Sequence, residues 1–284
     1  MTSKPSFFAA YAAMPTFVLL WGSAAIFTRW GLDHATVFAL LVCRYAIAFV
    51  ALLILGWSSK RWLPEPGTRL QVAGIGFVMV GLYSICYFQS MAHGVTPGLI
   101  ATLLGAQPIL TLLFTERRFS VWRLVGLFLA LFGLVLVVYQ SLALTRLSWT
   151  GMGLALATLG CTTVGALMQK RVQQAPTQVL PLQYAVTLGL CLAFVPFQPF
   201  RFNLAVGFFV PLLVLGLVIS VGAQVLLYRM IRTGNLVNVT SLFYLVPVVT
   251  IVLDFLILGN RLPLLAVAGM GAILGGLVLV FRRP

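Results

Sequence analysis

The stretch from Tyr83 to Pro108, YSICYFQSMAHGVTPGLIATLLGAQP, recurs in altered form 139 positions later as Gly222 to Pro247, GAQVLLYRMIRTGNLVNVTSLFYLVP. Each copy reads as an apolar helix with a few polar or aromatic residues, a short turn with glycine (Gly94, Gly234), and a second apolar helix interrupted by proline. Laid over each other without a gap, Met91 falls on Met230, His93 on Arg232 and Pro108 on Pro247. Identity is low, and the repeat rests on pattern. Beyond the prolines both copies reach a polar corner, Glu116-Arg117 and Asn260-Arg261, and then a glycine-containing helix ending Gly133-Leu-Val-Leu-Val-Val or Gly276-Leu-Val-Leu-Val-Phe. Asn260 follows its proline by 13 positions and Glu116 by 8, so the symmetry is imperfect. A duplicated unit of about 140 residues is the economical reading, with halves at 1–141 and 142–284.

Composition names the solvent. Apolar residues make up 61% of the 284, charged residues 8%, and mean hydropathy is +1.09. A soluble domain carries about 25% charged residues and is excluded. Spans of about 20 apolar residues are needed to cross a bilayer core. Ten such segments lie near 9–28, 36–57, 72–92, 98–115, 122–141, 150–170, 178–197, 207–228, 236–258 and 264–281. Their continuous apolar runs exclude a β-barrel, whose strands alternate. The first run, behind Lys4, is expected to be a retained helix: it is long and lacks a small-residue cleavage site. The expected class is therefore an all-α membrane protein.

The net charge of +14 would point to nucleic acid in a soluble chain, but its distribution points to the membrane instead. With a cytoplasmic N-terminus, that side holds Lys4, Lys60, Arg61, Arg69, Arg117, Arg118, Arg123, Lys170, Arg171, Arg229, Arg232, Arg282 and Arg283. The other side holds only Arg29, Arg146, Arg201 and Arg261. The positive-inside rule places both termini in the cytoplasm. Five helices per repeat is an odd number, so the second half enters the membrane inverted. Inverted repeats set a binding site near the midplane between the halves and expose it alternately to each side, which is the geometry of a transporter.

Several residues inside the spans are candidates for that site. Trp21, in Leu20-Trp21-Gly22-Ser23, lies mid-membrane, whereas the other tryptophans lie at span ends or in loops. Two readings stay open for it: packing beside small Gly22 and Ser23, or a wall of a cavity. Met79, Tyr83, Tyr87 and Ser90 share a helical face, and the two phenols need hydrogen-bond partners that a hydrated cavity would supply. Gln107-Pro108 and Tyr244-Leu-Val-Pro247 mark bent helices whose freed carbonyls can face a cavity. Gln107 suits an amino-acid head group or a tie between helices. Gln224, Ser241 and Tyr244 complete the expected lining. By strict repeat symmetry Tyr83 and Tyr87 match Gly222 and Leu226, so the aromatic wall is expected to be one-sided.

Other residues read as structural or gating. Arg44 lies about eight residues inside its span, where a cation costs about 3 kcal/mol unless paired or hydrated. Asp254, the only acid deep in a span, is its candidate partner. His93, at a helix end, reads as a solvated loop residue or a gate, and Pro108 and Pro247 as bending points. The four cysteines lack metal-ligand spacing and read as core residues, so no metal, cofactor or catalytic set is expected. A lipid-acting enzyme is disfavoured because the sequence has no HExxH, paired carboxylates or intramembrane Ser-His-Asp set. Gly271-Ala-Ile-Leu-Gly275 matches GxxxG and permits close packing within the chain or between two copies, leaving a monomer or a weak homodimer.

Four landmarks in order, Leu20-Trp21-Gly22-Ser23, Arg44, Pro108 with Glu116-Arg117, and Leu245-Val-Pro247 with Gly259-Asn260-Arg261, resemble the two EamA repeats of the drug/metabolite transporter superfamily. Within it the chain looks most like the YddG-type exporters of aromatic amino acids. It departs from the common pattern at Asn260, where a glutamate is usual, and in the short stretch between Pro108 and Glu116. The resemblance implies a multi-pass carrier of the bacterial inner membrane, with a central cavity lined by spans 1, 3, 4, 6, 8 and 9. The expected activity is alternating-access export of amino acids, aromatic and other hydrophobic ones, without obvious ion coupling. The alternative is an exporter of other hydrophobic metabolites or drugs, with proton coupling left open. The expected partners are a small-molecule amino acid and membrane lipid, with no nucleic acid.

Overall fold

The computed structural model describes residues 7–59, 63–116, 120–144, 148–249, 252 and 263–282. Within them the chain is helical, with no strand and a single β-bridge between Ala35 and Phe202. The elements are α1 (Phe7–Leu32), α2 (Val37–Ser59), α3 (Arg69–Ala92), α4 in two pieces (Pro97–Leu104 and Gln107–Thr115), and α5 (Val121–Leu144). The second half follows with α6 (Trp149–Lys170), α7 (Pro176–Phe194), α8 (Val206–Thr233), α9 (Leu236–Val249) and α10 (Leu264–Phe281). Eight of these, α2 to α8 and α10, are long and apolar enough to cross a membrane. Helices are the expected outcome of such runs, since lipid offers no partner to a backbone N–H or C=O. Asp254, Asn260 and Arg261, named above, lie outside the described residues.

Local chemistry sets the helix starts. Thr96, Ser148 and Asn235 accept from the backbone N–H three residues on, at 3.3, 3.2 and 3.2 Å, which satisfies one exposed donor each. Gly94 turns the chain between α3 and α4 with φ +85°, a conformation that costs a residue with a Cβ.

Both expected proline bends are present. In α4 the helix breaks between Leu104 and Gln107, just before Pro108. In α9 it tightens to a 3₁₀ turn over Leu242–Tyr244, just before Pro247. Periodicity did not announce a second pair of irregularities. α3 is π-helical over Gly76–Leu82 and α8 over Val214–Ala223, stretches that coincide under the 139-residue offset.

The halves pack through equivalent helices: α2 on α7, α5 on α10, and the second piece of α4 on α9. The α2–α7 contact centres on Tyr45 and Tyr184, whose rings meet edge-on at 5.4 Å. These tyrosines are also 139 positions apart, so the contact pairs a residue with its own repeat image. The α5–α10 contact is reciprocal as well. A Cβ at Gly126 would lie 2.7 Å from the Gly276 carbonyl oxygen, and one at Gly133 would lie 2.6 Å from that of Gly269. The expected GxxxG pair is not the one used: Gly271 meets nothing within 4 Å and Gly275 only a leucine methyl at 3.9 Å. The reason is phase, because Gly269 and Gly276 lie seven residues apart and stay on one face of the helix.

Candidate functional site

A cavity of about 580 Å³ lies between the halves and is lined by residues of all ten helices, most of them from α1, α3, α4, α8 and α9. Its residues reach Thr28, Gly98 and Pro263 at one end and stop at Ile231 toward the other. The π-helical segments and the residues that follow them reach it: Met79 and Val80, then Tyr83, from α3, and Ile219, then Gln224, from α8.

Of the residues expected to line the cavity, Trp21, Tyr83, Tyr87, Gln107 and Gln224 do so. Trp21 serves both of its open readings. Its ring faces the cavity and packs on Phe17 at 5.2 Å and Phe243 at 5.5 Å, while Gly22 lets α9 approach, since a Cβ there would lie 3.3 Å from the Val246 carbonyl oxygen. Tyr83 and Tyr87 are stacked with centroids 5.8 Å apart and planes 26° from parallel. Gln107 donates to the Thr162 carbonyl at 3.4 Å, which ties α4 to α6 at the cavity wall. Ser90 leaves the Tyr83–Tyr87 face and donates to the Gly151 carbonyl at 2.8 Å, fully buried.

Two expected lining residues are elsewhere. Tyr244 is fully buried and donates to the Gly105 carbonyl at 2.6 Å. Gly105 lies 139 positions earlier, so the phenol bonds the backbone of its own repeat image at the α4 break, where a Cβ would meet Leu134 and Leu131. Ser241 is also fully buried and donates to Val237 O one turn back, where Thr240 reaches the cavity instead. In helices a serine hydroxyl commonly bonds its own preceding carbonyl.

Among the residues read as structural or gating, Pro247 lines the cavity and Pro108 is buried behind it. His93 caps the end of α3 in the loop, exposed, with Nδ1 2.8 Å from Gln89 O. Arg44 lines the cavity, half-buried, with Nε donating to Ser220 Oγ at 2.8 Å. Its guanidinium carbon lies 5.2 Å from the Tyr45 centroid and 5.8 Å from that of Phe88, within cation–π range. Asp254 lies outside the described residues. Two further polar contacts lie beside Arg44: Tyr184 donates to the Ser220 carbonyl, and Tyr45 and Ser84 share a separate hydrogen bond of 2.5 Å.

Sequence reasoning missed Tyr45, Ser84, Tyr184 and Ser220. A signal was available, because the offset that aligns the prolines also aligns Arg44-Tyr45 with Gln183-Tyr184.

The ends of the bundle are closed differently. At the cation-rich end Glu116 pairs with Arg123 at 2.5 Å, and Arg123 also donates to Asn235 and Asn238 at 2.8 and 2.6 Å. This joins the α4–α5 corner to the start of α9. Gln174 adds a second tie there, donating to Thr68 at 2.8 Å and accepting from Glu65 N at 3.1 Å. At the opposite end Thr36 donates to the Pro199 carbonyl at 2.8 Å and Asn203 N to the His34 carbonyl at 2.9 Å, joining the α1–α2 and α7–α8 loops.

The sequence profile of the EamA-like transporter family matches residues 9–139 and 149–282. The chain belongs to the EamA-like transporter family. Each of its two halves matches one copy of the family's repeat, and membership makes it a multi-pass membrane transporter of the drug/metabolite superfamily, a class of carriers rather than of enzymes. The comparison with curated proteins found no match. Among 29 similar solved chains, one described only as "Crystal structure of protein" superposes with a TM-score of 0.81 at 18% identity, over 97% of each chain. That likeness shows the fold.

Proposed function

We propose that this EamA-family protein exports amino acids with aromatic or other large apolar side chains across the bacterial inner membrane, by alternating access and without ion coupling. The observation that carries the reading is the cavity wall: Trp21 and the stacked Tyr83 and Tyr87 offer ring faces beside the amides of Gln107 and Gln224. Ring pairs favour offset or edge-on partners by about 0.5–1.5 kcal/mol beyond area burial, so a third ring from the cargo extends a platform already built. The wall is one-sided, since α8 supplies Ile219, Gln224 and Leu227 where α3 supplies tyrosines.

The topology that fits has ten spans and both termini cytoplasmic, with the Glu116–Arg123 corner at the cytoplasmic face. On that topology the cavity runs from Thr28, Gly98 and Pro263 toward the outer face to Ile231 toward the cytoplasmic one, with hydrogen-bonded ties at both ends. Support for uniport comes from the lining: among the described residues no carboxylate or histidine faces the cavity to change charge during a cycle.

The test is uptake of radiolabelled phenylalanine into liposomes holding the purified protein, with and without an imposed pH gradient. Uptake that equilibrates and ignores the gradient is expected. Proton movement in step with substrate would refute uniport, and absence of uptake together with efflux of an apolar drug panel would replace the amino-acid reading.

A further inference from the structure

Arg44 is the only charged side chain among the described residues that line the cavity. The described acids are Asp33, Glu65 and Glu116, all at helix ends or in loops, and two of them pair with Arg29 and Arg123. Ser220 anchors Arg44 through Nε, and the rings of Tyr45 and Phe88 flank its guanidinium. A guanidinium held at Nε presents its remaining N–H groups as a planar fork, the shape that pairs with both oxygens of a carboxylate.

The repeat supplies an internal control. The position equivalent to Arg44 holds Gln183, which is fully buried, donates to Gln169 at 3.1 Å and accepts from Tyr228 at 2.8 Å. In that half the residue before the paired tyrosine ties α7 to α6 and α8, and an uncharged amide suffices. The copy that meets the cavity carries a full charge, which is costly at that depth and which tying helices does not require.

The geometry points to Arg44 as the receptor for a carboxylate on the cargo. The inference deepens the proposed function and rests on it only for the cargo's aromatic side chain; the anion requirement follows from Arg44 alone. It excludes purely cationic drugs as good substrates, since they would meet an anchored positive charge. It also orients the cargo, with the carboxylate at α2 and α8 and the ring toward Tyr83, Tyr87 and Trp21.

The test measures binding of L-phenylalanine, L-phenylalaninamide and 3-phenylpropionate to the purified full-length protein, wild type and the variants Arg44→Gln, Arg44→Lys and Ser220→Ala. The amide lacks the carboxylate and the propionate lacks the amine. Wild type is expected to prefer the acid over the amide by roughly 10- to 100-fold, the value of a charge-assisted hydrogen-bonded pair. In Arg44→Gln the acid-to-amide ratio falls to within about twofold of unity whatever the absolute affinity, and Arg44→Lys keeps part of it. Ser220→Ala, which keeps the charge and loosens its anchor, lowers the ratio by about 3- to 10-fold. A wild type that binds the amide as well as the acid overturns the inference and leaves the aromatic reading standing. So does an Arg44→Gln protein that binds more weakly but keeps the wild-type ratio, which is the signature of a tie. Binding of 3-phenylpropionate without phenylalanine supports Arg44 and refutes the amino-acid reading. No binding of any of the three overturns both.

Discussion

The α5–α10 crossing makes a sharp prediction about stability. Gly133→Ala places a Cβ 2.6 Å from the Gly269 carbonyl oxygen and 2.8 Å from the Ile273 nitrogen. Both are backbone atoms in the middle of a helix, so no side chain can swing away and the helices must part. Overpacking of this kind costs about 1–3 kcal/mol. The backbone partners place Gly133→Ala in the upper part of that range, from which the better helix propensity of alanine removes about 1 kcal/mol. The expected net loss is about 1–2 kcal/mol. Gly271→Ala is the matched control, because its Cβ meets nothing within 4 Å and only the propensity gain of up to about 1 kcal/mol remains. Equilibrium unfolding of the purified protein in mixed micelles with increasing SDS measures both. Gly133→Ala at or above wild-type stability, or Gly271→Ala losing as much as Gly133→Ala, would refute the packing described for these helices.

Three further outcomes are expected. Tyr244→Phe removes the hydrogen bond to Gly105 O and lowers stability by about 1 kcal/mol, while phenylalanine affinity measured by isothermal titration stays within about twofold of wild type; a larger change in affinity would place this phenol in the cavity. Tyr83→Ala and Tyr87→Ala each weaken phenylalanine binding by about 5- to 10-fold, and because the rings stack on each other the double variant loses less than the product of the single losses. At the cation-rich corner Glu116→Gln costs about 1–2 kcal/mol, discounted for side chains 17–20% exposed, and Arg123→Ala costs about 1 kcal/mol more because it also releases Asn235 and Asn238; equal losses in a thermal melt would mean that the asparagines contribute nothing.

Much of this molecule was legible before any coordinates. Apolar run lengths placed eight of the ten expected spans, Gln107-Pro108 and Pro247 placed a break and a 3₁₀ turn, and Tyr83 with Tyr87 placed a stacked pair on the cavity. The failures share a physical cause. A polar residue within an apolar helix can satisfy itself on its own backbone, as Ser241 does, or on a neighbouring one, as Tyr244 does, and sequence does not distinguish either from a residue that waits for a ligand. Arg44 is legible in the sequence as a costly deep cation, and its contrast with Gln183 becomes visible only when the register of the repeat is applied to side chains as well as to prolines.

The π-helical stretches in α3 and α8 have one more consequence. A π turn closes its hydrogen bond over five residues and an α turn over four, so it absorbs an extra residue while the strand of hydrogen bonds continues. The residues after such a turn are rephased by about 100° relative to an uninterrupted α-helix. In each half, then, one cavity helix changes facing by winding, and its neighbour is interrupted ahead of its proline, α4 by a break and α9 by a 3₁₀ turn. The glycine-locked pair α5 and α10 contains neither device. The molecule therefore divides into a braced spine and four articulated staves, and a cycle that reshapes the cavity has its joints already cut.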